Sequence, residues 1–262
     1  MDLELRALRS ITTRLPRVTG AGILGNVVRD FYARRDRSPV VVPVRGVLME
    51  LDPAENVDGN LLFCPQLYDR RELQVLLAAL RPGDVFVDVG AHIGLYALLA
   101  ARRVAPGGRV IAIEADPQTH ARLAGNVRRN SGLTVETVCV AVSDTDGRAR
   151  LALNTTGNRG GNSLLVGGND AIEVTCRRLA DVLADQGVEK VDGMKLDVEG
   201  MEFRVLRRFL ADAPAALRPR VVALEHQAHW IADAGGDAVE LLAGAGYRTV
   251  LATRLNRVMV HG

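Results

Sequence analysis

The chain has 262 residues, 48% of them hydrophobic, enough for one large α/β domain or two small ones with a packed core. Its 33 basic and 31 acidic residues leave a formal charge of +2 with no dense basic run, which gives dedicated nucleic-acid binding no support. Three widely spaced cysteines fit neither a disulfide framework nor a zinc knuckle, and no apolar run approaches the roughly 20 residues that span a bilayer. With an acidic start, Met1-Asp-Leu-Glu, the expectation is a cytoplasmic protein with reduced thiols and no integral membrane contact.

In chain order, residues 1 to 35 hold scattered leucines, valines and arginines, and Pro16 with Gly20, Gly22 and Gly25 limits them to a short helix ending near Arg35. Val40 to Val44 and Val47 to Leu51, joined through Arg45-Gly46, form a hairpin or a pair of short strands. Tyr68 to Leu80 is helical, with Leu73, Leu76, Leu77 and Leu80 on one face, and Arg81-Pro-Gly83 ends it.

The next stretch is the most informative. Val85-Phe-Val-Asp88-Val-Gly90-Ala91-His92-Ile-Gly94 is a strand buried on both faces that ends in an acid and breaks into a glycine turn opening a helix. Such a turn places a nucleotide-like ligand beyond the strand ends. A dinucleotide fingerprint needs Gly-x-Gly-x-x-Gly, and His92 stands where the central glycine would be, which weakens a pyrophosphate reading. Arg109 to Glu114 is a second buried strand ending in an acid, and Asp116-Pro117 starts the following helix. These elements make one βαβ unit, in which Glu114 is placed to accept hydrogen bonds from both ribose hydroxyls.

Pro117 to Asn130 then reads as a helix, Val135 to Val142 as a strand and Asp144-Thr-Asp-Gly147 as a turn. Two further strands, Arg148 to Leu153 and Ile172 to Cys176, flank a polar Gly/Asn-rich segment, 154 to 170, that is either a surface loop or a lid over the site. Leu179 to Asp185 and Met201 to Leu210 read as helices around a strand, Gly193 to Val198. Val221 to Leu224 is another buried strand, Val239 to Ala245 a helix, and Tyr247 to Leu251 with Arg257 to Val260 a closing antiparallel pair. Alternating strands and helices argue for a parallel, doubly wound sheet.

The charged strand Met194-Lys195-Leu-Asp197-Val-Glu199-Gly200-Met-Glu202 carries the chemistry. Strand alternation sends Lys195, Asp197 and Glu199 toward the ligand crevice if the pleat continues that far. The plain alternative is an ion pair of Lys195 with a carboxylate and a helix cap from Glu199. His226 and His229, following the Val221 strand, are expected at the same crevice edge. They do not amount to a metal site: a hard cation would prefer the oxygens of Asp197, Glu199 and Glu225, and Mg²⁺ is possible but not favoured.

Taken together, these segments resemble the FkbM family of S-adenosylmethionine-dependent methyltransferases. The matching stretches are Phe63 to Tyr68, Gly83 to Gly94, Ile113 to Pro117, Ala141 to Asp144 with Gly147, Asn162-Ser163-Leu164 and Lys195 to Glu202, covering about residues 60 to 226. His92 replaces the asparagine more usual there. The resemblance implies a Rossmann-like, mostly parallel seven-stranded α/β sheet with an antiparallel C-terminal strand, over residues 61–262. Residues 1–60 would form an N-terminal α+β extension that contacts substrate or a second subunit of a homodimer.

It also implies methyl transfer to a hydroxyl of a sugar, polyketide or glycolipid in natural-product biosynthesis. Asp88, Gly90, Ala91, His92 and Gly94 would line the methionine side of the cofactor, Glu114 its ribose, and Ala115, Ser143 and Asp144 its adenine. Asp197 and Glu199 would face methyl group and acceptor. Asp197, Glu199 and His226 are the candidate bases, with Lys195 beside them in the catalytic set. N-methylation of an amine stays open because the same carboxylates serve it, and a nicotinamide-dependent oxidoreductase is the reading from another class.

Overall fold

The computed structural model describes residues 3–14, 21–35, 38–154, 162–164 and 170–262. At the amino end, α1 (Leu3–Thr12) and α2 (Ala21–Ala33) precede a hairpin of β1 (Val40–Val44) and β2 (Val47–Leu51), then α3 (Asn56–Phe63) and α4 (Arg70–Ala79). The first βαβ unit is β3 (Val85–Val89), α5 (Leu95–Val104) and β4 (Arg109–Glu114), followed by α6 (Pro117–Arg129) and β5 (Val135–Cys139). Next come β6 (Ala141–Ser143), β7 (Gly147–Ala152), β8 (Ala171–Arg178), α7 (Leu179–Asp185), β9 (Gly193–Leu196) and α8 (Glu202–Asp212). The chain closes with β10 (Val221–Glu225), α9 (Ala228–Ala234), α10 (Ala238–Gly244), β11 (Tyr247–Ala252) and β12 (Asn256–His261).

Seven strands form the main sheet in the order β11-β12-β10-β9-β3-β4-β5. β3, β4, β5, β9 and β10 pair in parallel, and β12 runs antiparallel to both of its neighbours. The expected doubly wound α/β sheet with an antiparallel closing strand is therefore present.

Period-two alternation divides its core in two. Phe86, Val110, Ala112, Val221 and Ala223 face one way, packing with α4, α5 and the amino-terminal Leu5, Tyr32, Met49 and Phe63. Val87, Val89, Ile111, Ile113, Val222 and Leu224 face the other, against α7, α8 and α10.

Several elements differ from expectation. The helix expected to be limited by glycines runs through Gly22 and Gly25 as α2, and α1 precedes it. α3 carries two Asn, an Asp and a Gly among its eight residues, a composition poor in helix propensity; burial of Leu61, Leu62 and Phe63 decides it. The short α9 was likewise not expected, and Gly235 ends it at φ +83°.

The single strand foreseen over Val135 to Val142 is two. β5 is the edge of the main sheet, whereas β6 leaves it to pair in parallel with β8, which pairs antiparallel with β7. Val138, Val140 and Val142 keep one alternation across the break, so the pattern next to Val140 does not mark it. Only residues 162–164 of the polar segment expected between β7 and β8 as loop or lid are described besides its two ends; 155–161 and 165–169 lie outside the described residues. Among the described residues no helix is long and apolar enough to cross a membrane.

Candidate active site

A cavity of about 350 Å³ opens at the carboxyl ends of β3, β4, β9 and β10, where a doubly wound sheet binds its ligands. Three spacings of about 4.8 Å separate β4 from β10, so their ends stand roughly 14 Å apart along its mouth. Residues of α3, the α3–α4 link, β6, Asn162, Leu164 and the β11–β12 hairpin complete the wall.

The glycine turn is shaped by its neighbours. Gly90, at φ +76°, lies so close to the next strand that a Cβ there would stand 1.8 Å from the Asp197 carbonyl oxygen. The Gly90 and Ala91 amides both donate to Ile113 O at 2.9 Å. His92 takes φ +50°, which turns its backbone N–H to Glu114 Oε2 at 2.9 Å. Burial, with Arg122 and Lys195 nearby, pushes the His92 imidazole down to about 4, so it stays neutral at pH 7. Gly94 begins α5 at φ +94° and lies under Leu123, a packing role behind the cavity wall.

Glu114 is held from two sides, since its Oε1 accepts from the Asp116 amide at 2.9 Å and its Oε2 from His92. A carboxylate offers about four acceptor positions, so two remain for a vicinal diol. Burial raises this group to about 7 against the pull of its two amide bonds.

At the other end of the mouth, Lys195 Nζ lies 2.9 Å from Asp197 Oδ2 and 3.9 Å from Asp88 Oδ1, and donates to Gly90 O at 3.2 Å. Burial alone would lower its pKa, but Asp197 and Asp88 outweigh that and hold it above the ordinary lysine value. Asp88 is wholly buried, and burial pushes it up to about 6 against the pull of Lys195 and the Ala97 amide.

β9 ends at Leu196, so the pleat does not continue through Asp197 and Glu199. A turn brings them to the cavity instead, with Glu199 at φ +49° and Gly200 at φ +100°. Glu202 builds that turn, accepting from the Val198 amide at 2.8 Å and the Gly200 amide at 3.0 Å. The helix cap considered for Glu199 is not made, since α8 begins without a side-chain cap. Ser163 Oγ donates to Glu199 O at 2.8 Å.

One oxygen each of Asp197, Glu199 and Glu225 lie within 4.8 Å of one another. Burial, then the charge of Asp197, lifts Glu199 to about 9 and Glu225 to about 8. A hard cation could bridge such oxygens, but Lys195 already neutralises Asp197.

Gly90, Ala91, His92, Glu114, Ala115, Lys195, Asp197 and Glu199 thus share one cavity, whereas Asp88, expected to line its methionine side, is wholly buried and does not border it. Ser143 and Asp144 do not border it; Ala141 and Val142 do, and Arg207 lies 4.0 Å from Asp144. His226 does not border it either, which corrects its expected place at the crevice. Successive strand residues point to opposite faces, so with Glu225 turned inward His226 faces Asp237, 3.0 Å from its Oδ2. His229 stands beside Trp230, ring centroids 4.4 Å apart.

Wall residues that sequence reasoning missed include Asn56 and Asn60 on α3, Tyr68 and Asp69 in the link, Tyr96 and Asn256. Glu225, considered only as an oxygen ligand for a cation, stands in the wall as well, where the alternation of β10 turns it inward.

The donor set fits S-adenosylmethionine: a half-satisfied carboxylate for the ribose diol, and an acidic opposite end for the cationic centres. Fold and site together define a class I methyltransferase dependent on that cofactor. Residues 88–249 match the methyltransferase FkbM domain, and the chain belongs to that family. It is 33% identical over 201 residues to the 31-O-demethyl-FK506 methyltransferase FkbM of Streptomyces tacrolimicus, covering 65% of this chain and 75% of that one. It is 29% identical over 209 residues to methyltransferase sdnD of Sordaria araneosa, covering 62% and 77%. Methyltransferase FkbM from Methylobacillus flagellatus KT is a solved structure with 16% identity and a TM-score of 0.47, over 92% of this chain and 60% of that one.

Proposed function

We propose that the chain transfers a methyl group to a hydroxyl of a small-molecule acceptor of sugar, polyketide or glycolipid type. The observation that carries this is a cavity with a diol-ready carboxylate, Glu114, at one end and the carboxyl groups of Asp197, Glu199 and Glu225 at the other. The name of the Streptomyces relative, a 31-O-demethyl-FK506 methyltransferase, supports the same chemistry.

The bound cofactor supplies a methyl group already activated on a sulfonium. The protein must hold the acceptor in line and exclude water, and positioning contributes roughly 7–11 kcal/mol. A carboxylate that takes the hydroxyl proton as the bond forms adds roughly 10²- to 10⁴-fold. Glu199 is the base in this scheme. Asp197 is neutralised by Lys195 at 2.9 Å and orients cofactor and acceptor, and His226 has no part because it faces away. Gly90, Ala91 and His92 hold the methionine side, Asp88 acts on it only through Lys195, Gly94 supports the turn, and Ala115 with Ala141 and Val142 borders the adenine in place of Ser143 and Asp144.

Residues 1–60 act as an extension over the acceptor side of a 61–262 catalytic domain; Asn56 and Asn60 reaching the cavity support this. The same carboxylates would attract an ammonium, so N-methylation is the second reading. Incubation with methyl-labelled S-adenosylmethionine and a panel of hydroxylated and aminated acceptors tests both. Label recovered as a methyl ether is the expected result, and label recovered only as a methylamine would overturn it.

A further inference from the structure

Glu225 is the residue of the acidic end that the proposed mechanism does not use. Its Oε2 is buried without a hydrogen-bond donor, while Gln227 Nε2 donates to Oε1. One carboxyl oxygen of Glu225 lies within 4.8 Å of one each from Glu199 and Asp197, and acids crowded so closely, with an oxygen short of a donor, favour a proton on the pair.

Among the described residues, no neighbouring side chain donates to that oxygen. From β9, Lys195 is committed to Asp197, Asp88 and Gly90 O. From α8, Glu202 faces the pair with both oxygens taken by backbone amides. Asp69 and Tyr68 approach from the α3–α4 link, adding negative charge and a phenol. Asn256, the partner of Glu225 in the β10–β12 register, is uncharged.

We infer that Glu199 and Glu225 share one proton in the cofactor-free protein and release it to solvent when the sulfonium donor binds, which leaves Glu199 free as the base. Glu225 is then a positioning residue that sets the protonation of Glu199. The balance is complete: the acceptor oxygen bonds to the methyl carbon, the carbon–sulfur electron pair stays on sulfur, and the hydroxyl proton passes to Glu199. The inference rests on the O-methyl-transfer reading, and it distinguishes the charged donor from its neutral product. A positive sulfonium favours ionised carboxylates, whereas the thioether of S-adenosylhomocysteine does not.

The test is calorimetric titration of the whole chain with each compound at about pH 8, in EDTA and in two buffers of different ionisation enthalpy. Wild type should release roughly half a proton more, or above, with S-adenosylmethionine than with S-adenosylhomocysteine. Glu225→Gln and Glu199→Gln should each cut that difference to below roughly 0.2 proton while still binding S-adenosylhomocysteine, which shows that they are folded. Equal release with both compounds in wild type, or an undiminished difference in Glu225→Gln, would overturn the inference and leave the cofactor site standing. Failure of both compounds to bind wild type would remove the cofactor reading and this inference with it.

Discussion

The two ends of the cavity mouth both carry acids at strand ends, yet they are built differently. Glu114 is held by two backbone amides, 2.9 Å from each of its oxygens, so its geometry is set before any ligand arrives. Glu199 sits on a left-handed residue, and Glu225 leaves one oxygen without a donor. A carboxylate whose hydrogen bonds are already placed is suited to holding a ligand, whereas one left short of donors is suited to moving a proton.

The strongest way to break this contrast is at the acidic end. Glu199→Gln should lower methyl transfer by roughly 10²- to 10⁴-fold while leaving S-adenosylhomocysteine affinity within about twofold. Turnover with an accepted hydroxyl compound, measured beside calorimetric binding, checks the split. Glu114→Ala should do the reverse. Loss of a charged pair of hydrogen bonds should weaken S-adenosylhomocysteine binding by roughly 10²-fold, and wild-type affinity in that variant would remove the ribose role.

Stability against pH sharpens the comparison further. In the folded protein Glu199, Glu225 and Glu114 are raised by burial to about 9, 8 and 7, above their values in an unfolded chain. Their contribution is therefore fully present below the ordinary glutamate range and is lost as pH rises through those values. The Tm of the cofactor-free protein should fall between pH 5 and 9 on this account, and Glu199→Gln should flatten the fall. A Tm that rises over that interval in wild type would contradict it. The smallest effect belongs outside the cavity: His226→Ala should change S-adenosylhomocysteine affinity and turnover by less than about twofold, and its cost should appear only as a Tm lowered through the lost Asp237 contact.

Much of this was legible in the sequence because local pattern and tertiary role coincide there. The apolar strand into Gly90, the acid ending β4 and the proline opening α6 each carry their own periodicity or cap, and each stands where it was expected. What was not legible depends on contacts distant in the chain. α3 is helical through burial against its neighbours, and Val140 divides two strands because β8 offers β6 a partner 35 residues further on in register. Glu199 reaches the cavity through a turn that Glu202 holds, and His226 turns away because Glu225 turns in.

A crystal structure of the S-adenosylhomocysteine complex tests the central claim most directly. The account predicts both ribose hydroxyls on the Glu114 carboxylate, with the sulfur directed toward Glu199 and Glu225. A ligand bound elsewhere, or bound here with its ribose away from Glu114, would contradict it.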